Sequence, residues 1–212
     1  YNCNVPWAIL LDPTSACNLH CTGCWAAEYG NKLNLTFDEI DSIITQGKEL
    51  GIYLYIYTGG EPLVRKDDLI RLCEKHQDCA FLCFTNATLI DEAFCQEMIR
   101  VGNFVPAISA EGDEGTTDSR RGKGTYAKIE RAMNLLRENG LPFGISCCWT
   151  RENADAVVHL GNYSRREFLA AYPASQQLHA VIPHHIYEGL YAPIDRGEAR
   201  RKLGIPADAF VM

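Results

Sequence analysis

Long apolar runs and an excess of basic residues are both missing from this sequence. No stretch approaches the roughly 20 apolar residues that cross a bilayer, and no basic segment precedes an apolar one at the start. Lysine and arginine number 20 against 27 acidic residues, giving a formal charge of −7 and a pI near 5.4. Because phosphate binding requires clustered lysine and arginine, this balance argues against a nucleic-acid surface. We expect a cytoplasmic protein with neither a membrane anchor nor a nucleic-acid partner.

The remaining composition is that of an ordinary globular chain. With 212 residues, of which 47% are hydrophobic and 22% charged, it can bury the core of one medium domain. No internal repeat or low-complexity segment is visible. The sequence begins with Tyr1 and stops after the apolar Phe210-Val211-Met212, so we expect that both ends are cut.

Cysteine, by contrast, is abundant, with ten in the chain. Without a secretory signal a disulfide framework is not expected, and metal or cluster chemistry in a reducing cytoplasm is the better explanation. Three cysteines crowd into eight residues. Since free cysteine behaves as a small hydrophobe, we expect most of the other seven to be core residues: Cys3, Cys73, Cys79, Cys83, Cys95, Cys147 and Cys148.

Strand and helix patterns alternate along residues 1–149, which predicts an α/β fold with a parallel sheet. Thr36 and Glu39 form a capping-box pattern at the start of the first helix, whereas Pro106 weakens the fourth strand. Ligands of such sheets bind at the carboxyl ends of the strands. The predicted strands are 8–11, 52–57, 81–84, 104–109 and 143–149, and the helices begin at 36, 67, 91 and 125.

The cysteine cluster follows the first predicted strand and has the spacing C-x₃-C-x₂-C, with Cys17, Cys21 and Cys24 as its members. Closely spaced thiolates select iron–sulfur clusters or zinc over hard cations. A closed zinc site needs a fourth ligand, for which His20 or Cys3 is available. Three ligands on a four-iron cluster would instead leave one iron open for a substrate or cofactor.

A second motif, Thr58-Gly59-Gly60-Glu61-Pro62-Leu63, follows the second predicted strand. Two glycines permit a close backbone approach or a positive φ, and proline stiffens the exit. Glu61 is placed to accept a hydrogen bond from a bound amine. A tight turn with a solvated glutamate is the alternative for these residues taken alone.

Together, the two motifs resemble those of the radical S-adenosylmethionine (SAM) superfamily, and the resemblance covers about residues 5–153. It implies a [4Fe–4S] cluster on Cys17, Cys21 and Cys24, and SAM binding by Gly59, Gly60, Glu61 and Pro62. Weaker matches imply SAM contacts from Asn86, Ser109, Glu111 and Arg121; a loop-end cap or a solvated surface charge is the alternative for each. One position departs from the pattern, since Gly23 stands where many members carry an aromatic residue and Trp25 follows the third cysteine instead.

The resemblance also implies a fold and a reaction. The fold would be a partial (β/α)₆ TIM-like barrel with parallel strands and a C-terminal extension of helix and loop. The reaction would be reductive cleavage of SAM to a 5′-deoxyadenosyl radical, which takes a hydrogen atom from an unknown substrate such as a peptide. The electron would come from a donor such as flavodoxin or ferredoxin. A non-catalytic iron–sulfur or zinc-binding fragment is the alternative.

The character of the sequence changes after about residue 153, which divides it into a predicted core domain, 1–153, and an extension, 154–212. Within the extension, Val181-Ile182-Pro183-His184, Tyr187 and residues 198–211 resemble the interdomain region of a GT-B glycosyltransferase. We therefore expect a junction near 154–160 in an artificial or fused chain. A natural but unusual tail is the alternative. Glycosyl transfer itself is not expected, because the donor-binding domain is missing.

Overall fold

Five parallel strands lie side by side in chain order, from β1 at one edge to β5 at the other. The computed structural model describes residues 4–26, 30, 32–148, 156–159, 166, 169–170 and 178–181. The sheet belongs to a unit that spans residues 1–153. Its strands are β1 (Ala8–Leu11), β2 (Leu54–Tyr57), β3 (Ala80–Thr85), β4 (Phe104–Ser109) and β5 (Gly144–Ser146).

Helices connect the strands, as βαβ units require. Among the described residues, none of the helices is both long and apolar enough to cross a membrane. The helices are α1 (Phe37–Glu49), α2 (Lys66–Lys75), α3 (Glu92–Val101), α4 (Glu114–Arg121) and α5 (Thr125–Glu138), and a short 3₁₀ helix, Pro62–Arg65, precedes α2.

One face of the sheet forms the hydrophobic core with the helices. Tyr55 and Tyr57 of β2 are fully buried there, and both rings stack on Phe81 of β3. Phe94 of α3 meets Phe104 of β4 edge-on. Each large apolar side chain buried in this way stabilises the fold by about 1.5–3 kcal/mol. The apolar stripes of α1, α2, α3 and α5 all join this cluster.

The opposite face of the sheet is apolar but far less buried. Because side chains alternate along a strand, this face carries the row Leu10, Ile56, Leu82 and Val105, whose members are register partners across β1 to β4. Leu10 is 63% exposed, and the other three are half-buried. A parallel sheet ordinarily buries both faces, so its partial exposure sets this face apart from the one that forms the hydrophobic core.

The predicted α/β class and its five strands are confirmed, including β4 despite its proline. Pro106 is tolerated because the N–H that proline lacks would point toward β5, which begins only opposite Ala107. The capping box at Thr36 and Glu39 is present in full. The sequence reading missed α4, whose polar residues bury only Thr117 and therefore give little apolar periodicity.

Four of the scattered cysteines are core residues as predicted, namely Cys73, Cys79, Cys83 and Cys95. The prediction was wrong for Cys147 and Cys148, which follow β5 and are exposed. Both cysteines lie just beyond Ser146, the last residue of the edge strand β5. Residues at this position are less buried than those that follow a central strand. Cys3 lies outside the described residues.

A second unit spans residues 154–212. Its described part contains β6 (Ala156–His159) and β7 (Leu178–Val181), which pair in parallel. The expectation of helix and loop alone was therefore wrong for this extension. Apart from Val181, which ends β7, the residues that resemble a glycosyltransferase lie outside the described residues.

Candidate functional site

The three clustered cysteines lie in one loop at the carboxyl end of β1. Each is half-buried, and none of the described cysteines forms a disulfide. Burial raises the pKa of the Cys17 thiol; the Leu19 N–H, 3.4 Å from its sulfur, opposes the shift, and Glu61 and Cys24 add to it. Burial likewise raises the pKa of the Cys21 thiol. The charge of Arg121 opposes this shift, and Cys24 and Cys17 add to it. The three thiols are therefore electrostatic neighbours.

The spacing of these thiols bears on which metal centre they fit. Among the described residues, no three His, Cys, Asp or Glu side chains lie close enough together to hold a single metal ion. A tetrahedral zinc with bonds of about 2.3 Å would draw its sulfurs to within roughly 4 Å of one another. A four-iron cluster is wider and binds thiolates on separate corners. Three thiols in one loop are a ligand set of the kind that an iron–sulfur cluster uses.

The segment that precedes α1 binds the start of the cysteine loop. Ser15 N–H donates to the Leu33 carbonyl at 2.7 Å, and Leu35 N–H donates to the Pro13 carbonyl at 3.1 Å. The guanidinium of Arg65 donates to the Pro13 carbonyl at 2.8 Å and to the Leu35 carbonyl as well. These bonds fix the base of the loop while its tip stays accessible.

The glycine motif lies directly beside the cysteine loop. Beyond the paired strands, Thr58 N–H donates to Leu11 at 2.9 Å, Gly60 N–H to Thr14 at 2.9 Å and Glu61 N–H to Ala16 at 2.8 Å. The ladder between β1 and β2 therefore continues into both loops. A Cβ on Gly60 would lie 2.2 Å from the Ala16 carbonyl oxygen, and Gly59 has a φ of +103°. Glycine is required here by close approach of the cysteine loop itself.

The side chain of Glu61 points inward and is 1% exposed. Its carboxylate accepts from Leu63 N–H at 2.9 Å, Thr85 hydroxyl at 2.7 Å and Asn86 N–H at 2.7 Å. Burial raises its pKa, against the opposing effect of these three donors. Since a carboxylate offers about four acceptor positions, most are used within the protein. Glu61 thus joins the ends of β2 and β3, and it is not the solvated glutamate of the alternative interpretation.

Asn86 continues this connection to the cysteine loop. Its amide nitrogen donates to the Asn18 side-chain oxygen at 2.8 Å, and its oxygen accepts from the Thr88 N–H and hydroxyl at 3.0 and 2.7 Å. Asn18 in turn donates to the Thr88 hydroxyl at 2.8 Å. Three polar side chains therefore tie the loop between Cys17 and Cys21 to the exit of β3.

The exit of β4 carries Ser109 and Glu111. Ser109 is the register partner of Ser146. Glu111 is 2% exposed and accepts from Arg120 at 2.6 Å and from Arg121 at 2.8 Å, with a further bond from the Arg121 Nε. Burial raises the pKa of Glu111, but the two guanidinium groups outweigh it and hold the pKa below its usual value.

All the predicted site residues therefore lie at one edge, where β1, β2, β3 and β4 end. Sequence reasoning missed two residues that build this edge, Asn18 and Arg65, and it preferred Arg121 to the neighbouring Arg120. Asn18 had a usable signal, because it lies inside the cysteine motif. Arg65 had none, since its partners Pro13 and Leu35 are distant in sequence. Trp25, beside the third cysteine, is 57% exposed.

Comparison with known proteins settles the family. The sequence model described as the radical SAM superfamily matches residues 11–163, more than half of the chain. The chain belongs to the radical SAM superfamily. Members of this superfamily use a [4Fe–4S] cluster together with SAM.

Several radical SAM proteins are similar to the chain. An AdoMet-dependent heme synthase of Methanosarcina barkeri is 26% identical over 97% of the chain and 56% of that protein. A cysteine-type anaerobic sulfatase-maturating enzyme of Clostridium perfringens is 26% identical over 76% of the chain and 49% of that protein. The crystal structure of Streptococcus suis SuiB bound to precursor peptide SuiA matches with a TM-score of 0.62 and 18% identity, over 92% of the chain and 54% of SuiB. The chain thus spans about half the length of these relatives.

Proposed function

We propose that this chain carries the cluster and SAM sites of a radical SAM enzyme, with Cys17, Cys21 and Cys24 as the cluster ligands. The observation that carries the proposal is the backbone ladder that joins the cysteine loop to Gly60 and Glu61. It places the two motifs side by side at the carboxyl edge of the sheet, where parallel α/β folds bind their ligands.

Three protein ligands leave one iron of a four-iron cluster without a cysteine. When bound, the cluster supplies one electron to SAM, whose cleavage yields a 5′-deoxyadenosyl radical that removes a hydrogen atom from the substrate. The protein's part is to hold the thiols, orient SAM and exclude water. The half-buried position of the three cysteines, with apolar strands behind them, suits that role.

We propose that SAM is bound along the motif Gly59-Gly60-Glu61-Pro62, mainly through its backbone. The Glu61 side chain already accepts three hydrogen bonds, so its part is to fix the loop that presents the backbone. Asn86 is similarly engaged with Asn18 and Thr88. Ser109, Glu111 and Arg121 border the same edge from β4 and α4 and complete the proposed SAM site.

A peptide is the first substrate class to test, and a modified tetrapyrrole is the second. The names of similar proteins support both classes, since one is a PqqA peptide cyclase and another a heme synthase aligned over 97% of this chain. The electron donor we propose is a flavodoxin or ferredoxin, and the cellular location we propose is the cytoplasm. Each of these assignments concerns a whole protein. The relatives on which they rest are about twice as long as this chain.

The first experiment measures SAM cleavage by the chain. Protein reconstituted anaerobically with iron and sulfide is reduced with dithionite, and 5′-deoxyadenosine is quantified. We expect cleavage by the wild type and none by Cys21→Ala, which lacks a ligand. Cys95→Ala is the matched control, because Cys95 is buried in α3 and forms part of the hydrophobic core. A folded, cluster-loaded wild type that forms no 5′-deoxyadenosine would refute the enzymatic proposal.

We treat the glycosyltransferase resemblance of residues 159–212 as a separate proposal, which competes with a native extension. The family match continues to residue 163 and one relative aligns over 97% of the chain, both of which favour a native extension. Trypsin would release residues 152–165, a peptide that crosses the proposed junction. Its detection by mass spectrometry in an extract of the natural host would show that the junction is native. Detection of a different continuation after residue 152 would favour a fused chain.

A further inference from the structure

Glu111 and two consecutive arginines form a buried ion cluster beside the cysteine loop. The side chains of Glu111, Arg121 and Arg120 are 1%, 10% and 19% exposed. Arg121 approaches the carboxylate with two nitrogens, Nε and Nη2, and Arg120 adds a third donor, Nη1. A planar guanidinium held by two bonds has a fixed orientation. The carboxylate therefore determines where the Arg121 charge lies.

A backbone hydrogen bond connects this ion cluster to the cysteine loop. The carbonyl of Arg120 accepts the N–H of Thr22 at 2.8 Å, and Thr22 directly follows Cys21. Arg121 is the next residue of α4, and Glu111 holds its guanidinium by two bonds. The Arg121 guanidinium is thus a positive charge beside the loop that would hold a cluster on Cys21.

We propose that Arg121 raises the reduction potential of the bound cluster and that Glu111 is the positioning residue that holds it there. This inference rests on the proposed function. The physical reason is simple, because reduction adds negative charge to the cluster and a nearby cation stabilises the reduced form. The Thr22–Arg120 bond keeps the loop and the ion cluster together, so that the separation of the charges is maintained.

Arg121 was expected to contact SAM, and the two roles can be separated. A residue that only binds SAM changes the SAM affinity and leaves the cluster potential unaltered when SAM is absent. A residue that stabilises the reduced cluster changes the potential without SAM. The decisive measurement is therefore the midpoint potential of the SAM-free, cluster-loaded protein, obtained by redox titration followed by electron paramagnetic resonance.

The variant Arg121→Gln removes the charge, and Arg121→Lys retains it without the two-bond geometry. We expect Arg121→Gln to lower the reduced-to-oxidised ratio at a fixed potential about tenfold, which is a shift of about 59 mV for one electron. Arg121→Lys should restore part of the shift. Arg100→Gln is the control, since Arg100 lies on α3 in exposed ion pairs with Glu74 and Glu97. An Arg121→Gln potential equal to that of the wild type overturns the inference.

The role of Glu111 is tested by a double-mutant cycle. If Glu111 holds the guanidinium in place, the shift caused by Arg121→Gln should fall to less than half in a Glu111→Gln background. An equal shift in both backgrounds overturns the positioning role. Should Glu111→Gln not fold, Glu111→Asp, which keeps the charge but withdraws the carboxylate by one methylene, replaces it in the cycle.

The outcomes also distinguish this inference from the proposed function. A wild type that takes up no cluster overturns both. A wild type that forms 5′-deoxyadenosine, with no change of potential in Arg121→Gln, overturns the charge effect alone and leaves the enzymatic proposal intact.

Discussion

At the scale of single residues, the site depends on a few positions that permit no alternative side chain. Gly60 is one, because the atoms its Cβ would meet are main-chain oxygens of Ala16 and Ser15 at 2.2 and 2.6 Å. Glu61 is another, since three donors converge on one buried carboxylate. The N–H groups of both residues donate to the cysteine loop, so both help to determine where that loop lies.

Gly60→Ala should separate the two loops. The new methyl group would overlap backbone that cannot rotate away, which costs about 1–3 kcal/mol for overpacking of this kind. We expect a lower free energy of unfolding in urea and less iron per chain after reconstitution. Gly115→Ala in α4 is the control, because its nearest neighbour lies 3.7 Å away. Unchanged iron content and stability in Gly60→Ala would contradict this account of the loop contact.

Glu111→Gln should destabilise the chain in a pH-dependent manner. Removing one partner of a buried ion pair costs about 3–5 kcal/mol. Because the arginines hold the native pKa of Glu111 below its usual value, this contribution is complete above the unfolded pKa of about 4.3 and is lost as the pH falls through the native pKa.

The difference in unfolding free energy between wild type and Glu111→Gln, measured in urea, should therefore be constant from pH 8 to about 5 and shrink below about pH 4. Glu130→Gln on the exposed side of α5 should show little difference at any pH. A gap that widens on acidification would be inconsistent with a lowered native pKa.

At the scale of elements, capping residues predicted the start of a helix well where no distant contact was involved. Helix α1 begins where Thr36 and Glu39 cap each other, and α3 begins at the predicted Asp91 cap. The sequence could not reveal α4, because Arg120 and Arg121 of this helix pair with Glu111, which follows β4. It also could not assign Cys147, because exposure depends on where the neighbouring strand ends.

Thr36→Ala tests how much the capping box stabilises α1. Thr36 accepts from Glu39 N–H at 3.2 Å while the Glu39 carboxylate accepts from Thr36 N–H at 2.7 Å. Loss of the side-chain cap should reduce the free energy of unfolding by about 1 kcal/mol. Ser42→Ala, on the exposed face of the same helix, should be neutral or slightly stabilising. Equal effects of the two substitutions would argue against a contribution from the cap.

At the scale of the whole molecule, the sheet collects residues from distant parts of the chain at one edge. The motif residues were predictable because each follows a strand. Their mutual bonds were not, since Asn18 and Asn86 are separated by 68 positions and Glu61 and Asn86 by 25. The half-exposed apolar row of Leu10, Ile56, Leu82 and Val105 was likewise unpredicted, because alternation alone does not tell which face a helix covers.

The ladder between the cysteine loop and the glycine motif has a consequence for how such sequences can diverge. At position 16 the contact is made by a main-chain oxygen, so the identity of the side chain there is immaterial to it. At position 60 the same contact excludes every residue that has a Cβ. Related sequences should therefore vary at position 16 while retaining glycine at position 60. Selection then acts on only one of the two residues that make this contact.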